Sequence, residues 1–244
     1  MATQPVCPKC GGSGWIIIER AEVSGAEPCE CRAEGRAARL EERAQIPSLY
    51  RNASFENFNI TSQDLRAAVL AVKKYADDFP NETRPGLLLI GEPGTGKTHL
   101  ALAALRRIIE KGFECLFCDY QNLLDRIRSG YDAASNSADR EAYRVALDAE
   151  VLLLDDLGAH RITDWVLDTV TSIVTYRCNN RKPLIATTNL PEFSRTKSDD
   201  GRVDYRRTLA DHIGDRAYSR LFEMCTVVQI RNTEDYRVRR ARAF

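Results

Sequence analysis

The stretch LLLIGEPGTGKTHLALAALRRII, residues 87–109, places a glycine-rich loop between a run of four apolar residues and an amphipathic helix. Its central part, residues 91–98, matches the pattern GxxxxGK[ST] in the strand-to-helix context that the pattern requires. Glycines let the backbone N–H groups curl inward, and the start of the helix adds positive potential. The stretch therefore predicts an ATP phosphate site formed by Gly91, Glu92, Pro93, Gly94, Thr95, Gly96, Lys97, Thr98 and His99.

Two side chains of this loop have specific expected roles. We expect Lys97 to reach the β and γ phosphates, and the Thr98 hydroxyl to bind Mg²⁺. The alternative is a glycine-rich turn that binds nothing, which the flanking strand and helix disfavour.

Short apolar runs alternate with helical patterns along the rest of the chain. The runs are FECLFC at 113–118, VLLLDD at 151–156, LIATTN at 184–189 and TVVQI at 226–230. Strands separated by helices indicate parallel βαβ units, and runs without polar alternation are typical of strands buried on both faces. We therefore predict an α/β domain with a parallel sheet, and an exposed loop at the polar segment 192–207.

Polar side chains end two of the predicted strands. Asp155 and Asp156 follow VLLL, at the strand end where ligands bind in open α/β sheets. We expect Asp155 to hold Mg²⁺ and Asp156 to orient or deprotonate the attacking water, although such a pair can also cap a helix. Asn189 ends LIATTN and can position water or contact the γ-phosphate; otherwise it is an ordinary residue between strand and turn.

Three arginines are candidates for contact with the γ-phosphate. Arg216 and Arg220 lie four residues apart on one helical face, and Arg237 follows Tyr236. A solvated basic face is the usual interpretation, and a guanidinium directed at phosphate is the alternative.

The motifs GEPGTGKTHLA, VLLLDDLG, ATTN, DRAYSRL and EDYR, in this order, resemble those of the DnaC-type helicase loaders and the IstB-type transposition helper ATPases, both within the AAA+ group. The resemblance covers residues 46–237. It implies a three-layer αβα AAA+ domain whose five-stranded parallel sheet has the order 5-1-4-3-2. The roles that it implies are Walker A for Lys97 and Thr98, Walker B for Asp155 and Asp156, sensor 1 for Asn189, an arginine finger for Arg220, a supporting finger for Arg216 and sensor 2 for Arg237.

One residue departs from the wider AAA+ pattern. Asp156 stands where glutamate is commoner, and its shorter side chain predicts slow hydrolysis. Because the finger is supplied by a neighbouring subunit, the resemblance also implies self-association and activity that depends on assembly.

The first 31 residues contain four cysteines and few apolar residues, so something other than a core must hold them together. Cys7 and Cys10 form a CxxC pair, and Cys29 and Cys31 can supply the other two ligands of a zinc site. The alternative is free or redox-active thiols. We predict a zinc-binding, partner-binding module with a linker helix at 1–45 and the ATPase domain at 46–244.

The remaining cysteines and the histidines are not predicted ligands. Cys115 and Cys118 are three apart on a predicted strand, so they point to opposite faces and cannot share a metal. Cys178 and Cys225 are also expected to be structural, and His99, His160 and His212 are given no metal.

Composition limits the compartment and the partners. The chain has no run of about 20 apolar residues and no signal-peptide pattern, so we expect a cytoplasmic protein without a membrane partner. Its 35 basic and 35 acidic side chains balance, so contact with nucleic acid requires a local patch. The candidates for single-stranded DNA are Arg126, Arg128, Tyr131, Arg140, Tyr143 and Arg144, for which a salt-bridged surface helix is the alternative.

These observations predict a helicase loader that binds the hexameric replicative helicase and single-stranded DNA during DNA replication and uses ATP, with Mg²⁺ and Zn²⁺, as a switch. The alternatives are a transposition helper that assembles on duplex DNA and a zinc-dependent adaptor that binds ATP with little hydrolysis.

Overall fold

The computed structural model describes residues 7–11, 13–20, 23–131, 137–192, 195–197, 203–205, 207–231 and 236. In chain order its elements are β1 (Trp15–Arg20), β2 (Val23–Pro28), α1 (Glu30–Arg43), a 3₁₀ turn (Ser48–Tyr50), α2 (Gln63–Asp77), β3 (Gly86–Gly91), α3 (Lys97–Glu110), β4 (Cys115–Asp119), α4 (Tyr120–Ser129), α5 (Ser137–Asp148), β5 (Val151–Asp155), α6 (Asp164–Asn179), β6 (Leu184–Thr188), β7 (Arg195–Lys197), β8 (Val203–Tyr205), α7 (Leu209–Ile213), α8 (Asp215–Met224) and β9 (Cys225–Ile230).

The central sheet contains five parallel strands in the order β4-β5-β6-β3-β9. When these five strands alone are numbered along the chain, the order from the β9 edge is 5-1-4-3-2, as the resemblance implies. Two antiparallel ladders, β1 with β2 and β7 with β8, lie outside this sheet and were not expected.

The β7 and β8 ladder corrects the prediction of a plain loop at 192–207. Its two strands have three residues each, which is too short for the apolar alternation from which a strand is recognised in a sequence.

Each face of the sheet has its own apolar core. Leu87 and Leu89 of β3 pack in one cluster with side chains of α2 and α3. Leu88 and Ile90 pack in the other cluster with side chains of α4 to α8. Alternate residues of one strand thus serve opposite layers, which accounts for the unbroken apolar runs and completes the three-layer αβα arrangement.

The second half of α1 joins the core formed by α2 and α3. Ala44, just after the helix, is fully buried there, and its carbonyl accepts a hydrogen bond from the Phe117 N–H at 2.8 Å. Glu41 pairs with Arg106 of α3, with 2.8 Å between Oε1 and Nε. The boundary at residue 45 stays a prediction, but these contacts tie α1 to the domain that contains the central sheet.

Among the described residues, no helix combines the length and the apolar character that crossing a bilayer requires.

Candidate nucleotide site and metal centre

The loop before α3 is shaped to receive an anion. The N-caps of α2 and α6 are Ser62 and Thr163, whose hydroxyls accept N–H bonds from the first turn, whereas the N-cap of α3 is Gly96, which provides no side-chain cap. Gly96 has φ of +91°, and a Cβ there would lie 2.5 Å from the Phe58 ring. The first turn of α3 therefore has no side-chain oxygen in the place that a phosphate would occupy.

The lysine and threonine of the motif are both buried beneath this loop. The Lys97 ammonium donates to the Glu92 carbonyl at 2.8 Å, so it curls back over its own loop. The Thr98 hydroxyl donates to Asp155, at 2.9 Å from Oδ1 and 3.1 Å from Oδ2. The contact between Thr98 and Asp155 joins the two elements that the sequence predicted would meet at Mg²⁺.

Asp155 is a buried carboxylate held by hydroxyl groups. The Thr187 hydroxyl donates to its Oδ1 at 2.6 Å, in addition to the bond from Thr98. Burial raises the pKa of Asp155, and the nearby charge of Asp156 adds to this, while the hydrogen bonds from Thr187 and Thr98 oppose it. A divalent cation beside Thr98 and Asp155 would balance the buried charge, and hydroxyl and carboxylate oxygens are ligands that suit Mg²⁺.

Asp156 and Asn189 meet at the neighbouring strand ends. The Asn189 amide donates to Asp156 Oδ1 at 3.0 Å, and the Asp156 N–H donates to the Thr187 hydroxyl at 2.9 Å. The alternative of a helix cap is wrong, because a turn follows β5 and α6 begins only at Asp164. The arrangement places a half-exposed carboxylate and an exposed amide at the mouth of the site.

A cleft of about 640 Å³ opens over these groups. This volume is in the range of small-molecule and cofactor sites. Its predicted lining consists of residues 93–99, Asp156 and Asn189. The other wall was missed by the sequence reasoning and consists of Ser48, Leu49, Tyr50, Arg51, Asn52, Ala53, Asn57, Phe58, Asn59, Thr61 and Leu65, with Tyr236 at the far end of the chain.

The cleft wall at residues 48–61 contacts α3 through hydrogen bonds and ring packing. His99 Nε2 lies 2.8 Å from the Ser54 carbonyl, and its ring packs edge-on to Phe58 with centroids 5.4 Å apart. Arg106, two turns later, donates to the carbonyls of Arg51 and Ala53. His99 therefore borders the cleft and also secures its wall.

Neither Arg216 nor Arg220 borders this cleft. Arg216 is exposed on α8, and Arg220 is partly exposed and pairs with Glu223 at 2.6 Å, which raises the pKa of Arg220 through the hydrogen bond and the charge of that carboxylate. Arg237 falls outside the described residues. Its neighbour Tyr236 borders the cleft and donates its N–H to the Gly94 carbonyl at 3.2 Å.

The four N-terminal cysteines form a compact cluster, with all their Sγ atoms within 4.8 Å of one another. Cys7 and Cys29 are 3.8 Å apart, and Cys10 and Cys31 are 3.5 Å apart. Four sulfurs at about 2.3 Å from one zinc ion in a tetrahedron are about 3.8 Å apart, so the spacing suits Zn²⁺.

The start of α1 explains how the tight CxC pair can contribute two ligands. Cys29 is the N-cap of α1, with an extended backbone (φ −69°, ψ 144°), and Cys31 lies in the first turn. Because Cys29 stands outside the helix, its thiol is not forced to the side opposite that of Cys31, and both thiols lie within 4.8 Å of those of Cys7 and Cys10. Hydrogen bonds with the other thiols, first with Cys10, favour the protonated form of Cys31 and raise its pKa to about 12. A zinc ion favours the ionised thiolates, as does the helix N-terminus.

The expectation that Cys115 and Cys118 lie on opposite faces is confirmed. Cys115 packs in the α1 to α3 core, while Cys118 packs against the core of α4 to α8. Burial raises the pKa of both thiols, that of Cys118 to about 11. Among the described residues, the four N-terminal cysteines form the one group of three or more cysteine, histidine or carboxylate side chains whose ligand atoms are close enough to share a metal ion.

The nucleic-acid candidates differ in their surroundings. Arg126 is exposed on α4, and Tyr131, just after it, is 72% exposed. The Arg128 guanidinium stacks over Trp165, 4.9 Å from the ring centroid.

The candidates on α5 are engaged within the protein. The Tyr143 hydroxyl bonds Ser172 at 2.7 Å, and Arg144 pairs with Asp148 at 3.3 Å. The backbone of Arg140 lies in α5, and its side chain falls outside the description. The alternative of a salt-bridged surface helix therefore applies to Arg144, whereas Arg126 and Tyr131 are exposed to solvent.

Comparison with known proteins finds a matching family model, curated relatives and similar solved structures. The model of the IstB-like ATP binding protein family matches residues 26–243. The uncharacterized protein YqaM of Bacillus subtilis is 30% identical over 176 residues, which are 68% of this chain and 55% of YqaM. The replicative helicase loader DnaC of Buchnera aphidicola is 28% identical over 148 residues, 61% of this chain and 60% of the loader. A crystal structure of the DnaC helicase loader has 32% identity and a TM-score of 0.63, covering 76% of this chain and 100% of that chain.

Proposed function

The chain belongs to the IstB-like family of ATP-binding proteins, and from this membership we propose that it is an ATP-hydrolysing loader of the replicative DNA helicase. The observation that carries the proposal is the match to the DnaC helicase loader structure over the whole of that chain. The contacts among Lys97, Thr98, Asp155, Asp156 and Asn189 support nucleotide chemistry at the site.

In the proposed reaction, the loop N–H groups and Lys97 hold the triphosphate, and Thr98 and Asp155 would hold Mg²⁺. When bound there, Mg²⁺ neutralises charge on the phosphate oxygens. Asp156, held by Asn189, orients a water molecule for attack on the γ-phosphorus and accepts its proton, giving ADP and phosphate.

We assign the arginines to completion of this site on assembly. Arg220 would enter the site of a neighbouring copy with Arg216 in support, and Arg237 would contact the nucleotide in its own chain. The exposed positions of Arg216 and Arg220, away from the cleft of their own chain, suit a contribution to another subunit. An isolated subunit would then hydrolyse ATP slowly.

The N-terminal module is proposed to bind zinc through Cys7, Cys10, Cys29 and Cys31 and to contact the helicase. Because this segment has few buried side chains, the metal would supply much of its order, about 10–16 kcal/mol of apparent folding free energy in comparable sites.

A capture experiment tests both proposals on the full-length chain. Wild type should hold about one zinc per chain by elemental analysis and retain the host's replicative helicase on a column. The double variant Cys7→Ser, Cys10→Ser should lose both the zinc and the helicase. Cys178→Ser, a partly exposed cysteine outside the cluster, is the matched control and should behave as wild type.

Substitution is preferable to removal of residues 1–45, since a deletion also removes Leu40 and Ala44 from the core. If the intact, zinc-loaded protein does not capture the helicase, the loader function is wrong.

The second candidate is a transposition helper that assembles on duplex DNA, and the match to the IstB-like family model is compatible with it as well. That function predicts assembly on duplex DNA that depends on ATP and exceeds assembly on single strands. A third candidate, an adaptor that binds ATP with little hydrolysis, predicts no turnover even when DNA and helicase are both present.

A further inference from the structure

Thr187 of β6 contacts three consecutive residues, the last of β5 and the first two of the turn that follows it. Its hydroxyl donates to Asp155 Oδ1 at 2.6 Å and accepts from the Asp156 N–H at 2.9 Å. Its carbonyl accepts from the Leu157 N–H at 2.7 Å. A hydroxyl has one proton to donate, and here that proton goes to a carboxylate in a fully buried environment.

The adjacent threonine provides a contrast. Thr188 is equally buried, but its hydroxyl donates to the Leu157 carbonyl at 2.8 Å and accepts from the Leu190 N–H at 3.1 Å. Thr188 therefore braces backbone, whereas Thr187 reaches the carboxylate of one aspartate and the amide of the next.

We propose that Thr187 is a positioning residue that holds Asp155 in the orientation for Mg²⁺ and Asp156 in the orientation for the attacking water. This inference rests on the proposed ATPase function and gives a role to Thr187, a residue of the ATTN motif in which only Asn189 had an expected role.

The case for Asp155 follows from the two roles of the Thr98 hydroxyl, which bonds Asp155 in the structure and is expected to bind Mg²⁺. In the structure, both Thr98 and Thr187 donate to Asp155. When the Thr98 oxygen turns toward Mg²⁺, Thr187 remains as the donor from β6 that fixes the rotamer of the carboxylate. Such outer partners of metal ligands typically change metal affinity or activity by about 10–100-fold when they are removed.

The case for Asp156 follows from its backbone. Asp156 has φ of +56°, in the left-handed region that non-glycine residues seldom adopt. The bonds of Thr187 to the Asp156 and Leu157 N–H groups hold this turn from the neighbouring strand. Loss of the hydroxyl would therefore loosen both carboxylates together.

The test compares Thr187→Val, which removes the hydroxyl at nearly constant volume, with Thr187→Ser, which keeps it. Thr169→Val is the matched control, because Thr169 is a buried threonine whose hydroxyl bonds the Trp165 carbonyl within α6. Binding of a fluorescent ATP analogue is titrated at increasing Mg²⁺, and ATP turnover is measured in parallel.

We expect Thr187→Val to raise the Mg²⁺ concentration for half-maximal analogue binding by about tenfold and to lower turnover by about 10–100-fold. Binding in the presence of EDTA should be unchanged. The serine variant and the Thr169→Val control should both match wild type. If the valine variant does not fold, Thr187→Cys, which keeps the volume with a poor donor, should give the same increase in Mg²⁺ requirement.

The inference is wrong if the valine variant, or the cysteine variant in its place, keeps the wild-type Mg²⁺ requirement, or if serine impairs binding as much as valine does. Failure of the proposed function gives a different result, since wild type itself would then show no turnover while the Mg²⁺ titration still compares the variants.

Discussion

At the residue scale, the backbone of Asp156 accounts for the departure from the commoner glutamate. Its φ of +56° lies where asparagine and aspartate are enriched, because their short polar side chains bond locally. The bond from Asn189 to Asp156 uses this short reach. Aspartate at this position therefore tolerates the left-handed backbone of the turn and also accepts the hydrogen bond from the Asn189 amide.

This backbone predicts different results for two substitutions of Asp156. Asp156→Asn keeps a residue that tolerates the left-handed turn, so its melting temperature and ATP binding should match wild type while turnover falls by about 100-fold or more. Asp156→Ala should lose turnover and also about 1 kcal/mol of stability, because alanine pays the full cost of the left-handed conformation. Thermal denaturation and steady-state turnover measure the two effects. Equal melting temperatures for the two variants would contradict the account.

The residues of the site differ in how well the sequence predicts them. Lys97, Thr98, Asp155 and Asn189 are predictable because each belongs to a local pattern at a strand end. Thr187 is not, since its role arises from the pairing of β5 with β6, which brings together residues about 30 positions apart. The cleft wall at residues 48–61 was not predicted either, because it carries no motif and is positioned by its contacts with α3.

At the element scale, α8 presents its arginines while burying its other face. Ala217, Leu221 and Met224 are buried, at spacings of four and three residues, and Arg216 and Arg220 lie at the surface. The periodicity of DRAYSRLFEM was therefore sufficient to predict which face is apolar. It could not predict what the arginines contact, because in the proposed assignment their partner is a second copy of the chain.

The assignment of Arg220 predicts a loss that is confined to the assembled state. Arg220→Ala should leave ATP binding within about twofold of wild type and lower stimulated turnover by about 1000-fold. The matched control is Arg107→Ala on α3, since Arg107 also pairs with a glutamate three residues later, at 3.3 Å. Unchanged stimulated turnover in Arg220→Ala, measured with DNA and helicase present, would overturn the assignment.

The elements themselves were largely predictable. All five strands of the central sheet fall on the apolar runs, and α2 begins after Ser62 and ends before Pro80 as its pattern indicates. The two antiparallel hairpins were missed, because β1 opens with four consecutive apolar residues that do not alternate, β2 consists mostly of small and polar residues, and β7 and β8 lie in a polar segment. Pattern recognition depends on apolar periodicity, which neither segment provides.

At the scale of the whole molecule, the formal charge of zero leaves any contact with DNA to local groups. Arg126 and Tyr131 provide an exposed guanidinium and an exposed ring near the end of α4. Arg144, by contrast, lies between Glu141 and Asp148 on its own helix, at 3.8 Å and 3.3 Å. The acidic neighbours reduce what Arg144 can offer to a phosphate.

The exposure of Arg126 and the acidic neighbours of Arg144 each predict an effect on binding of single-stranded DNA. Arg126→Ala should weaken binding and reduce the slope of log affinity against log salt concentration by about one unit. Arg144→Ala should change the slope by less than one unit, because Glu141 and Asp148 already offset part of the charge of Arg144. Fluorescence anisotropy with a labelled oligonucleotide at several salt concentrations measures both. Identical slopes for wild type and Arg126→Ala would remove this surface from consideration.

The helices α1 and α3 run in opposite directions where they pack. Arg36, early in α1, bonds the carbonyl of Gly112 beyond the end of α3, whereas Glu41 meets Arg106 farther back along α3. The cysteine cluster at the start of α1 thus lies toward the far end of α3, which has 14 residues and is about 20 Å long. Under the proposed function, a helicase held at the cysteine cluster and a nucleotide held at the start of α3 would therefore bind toward opposite ends of this helix.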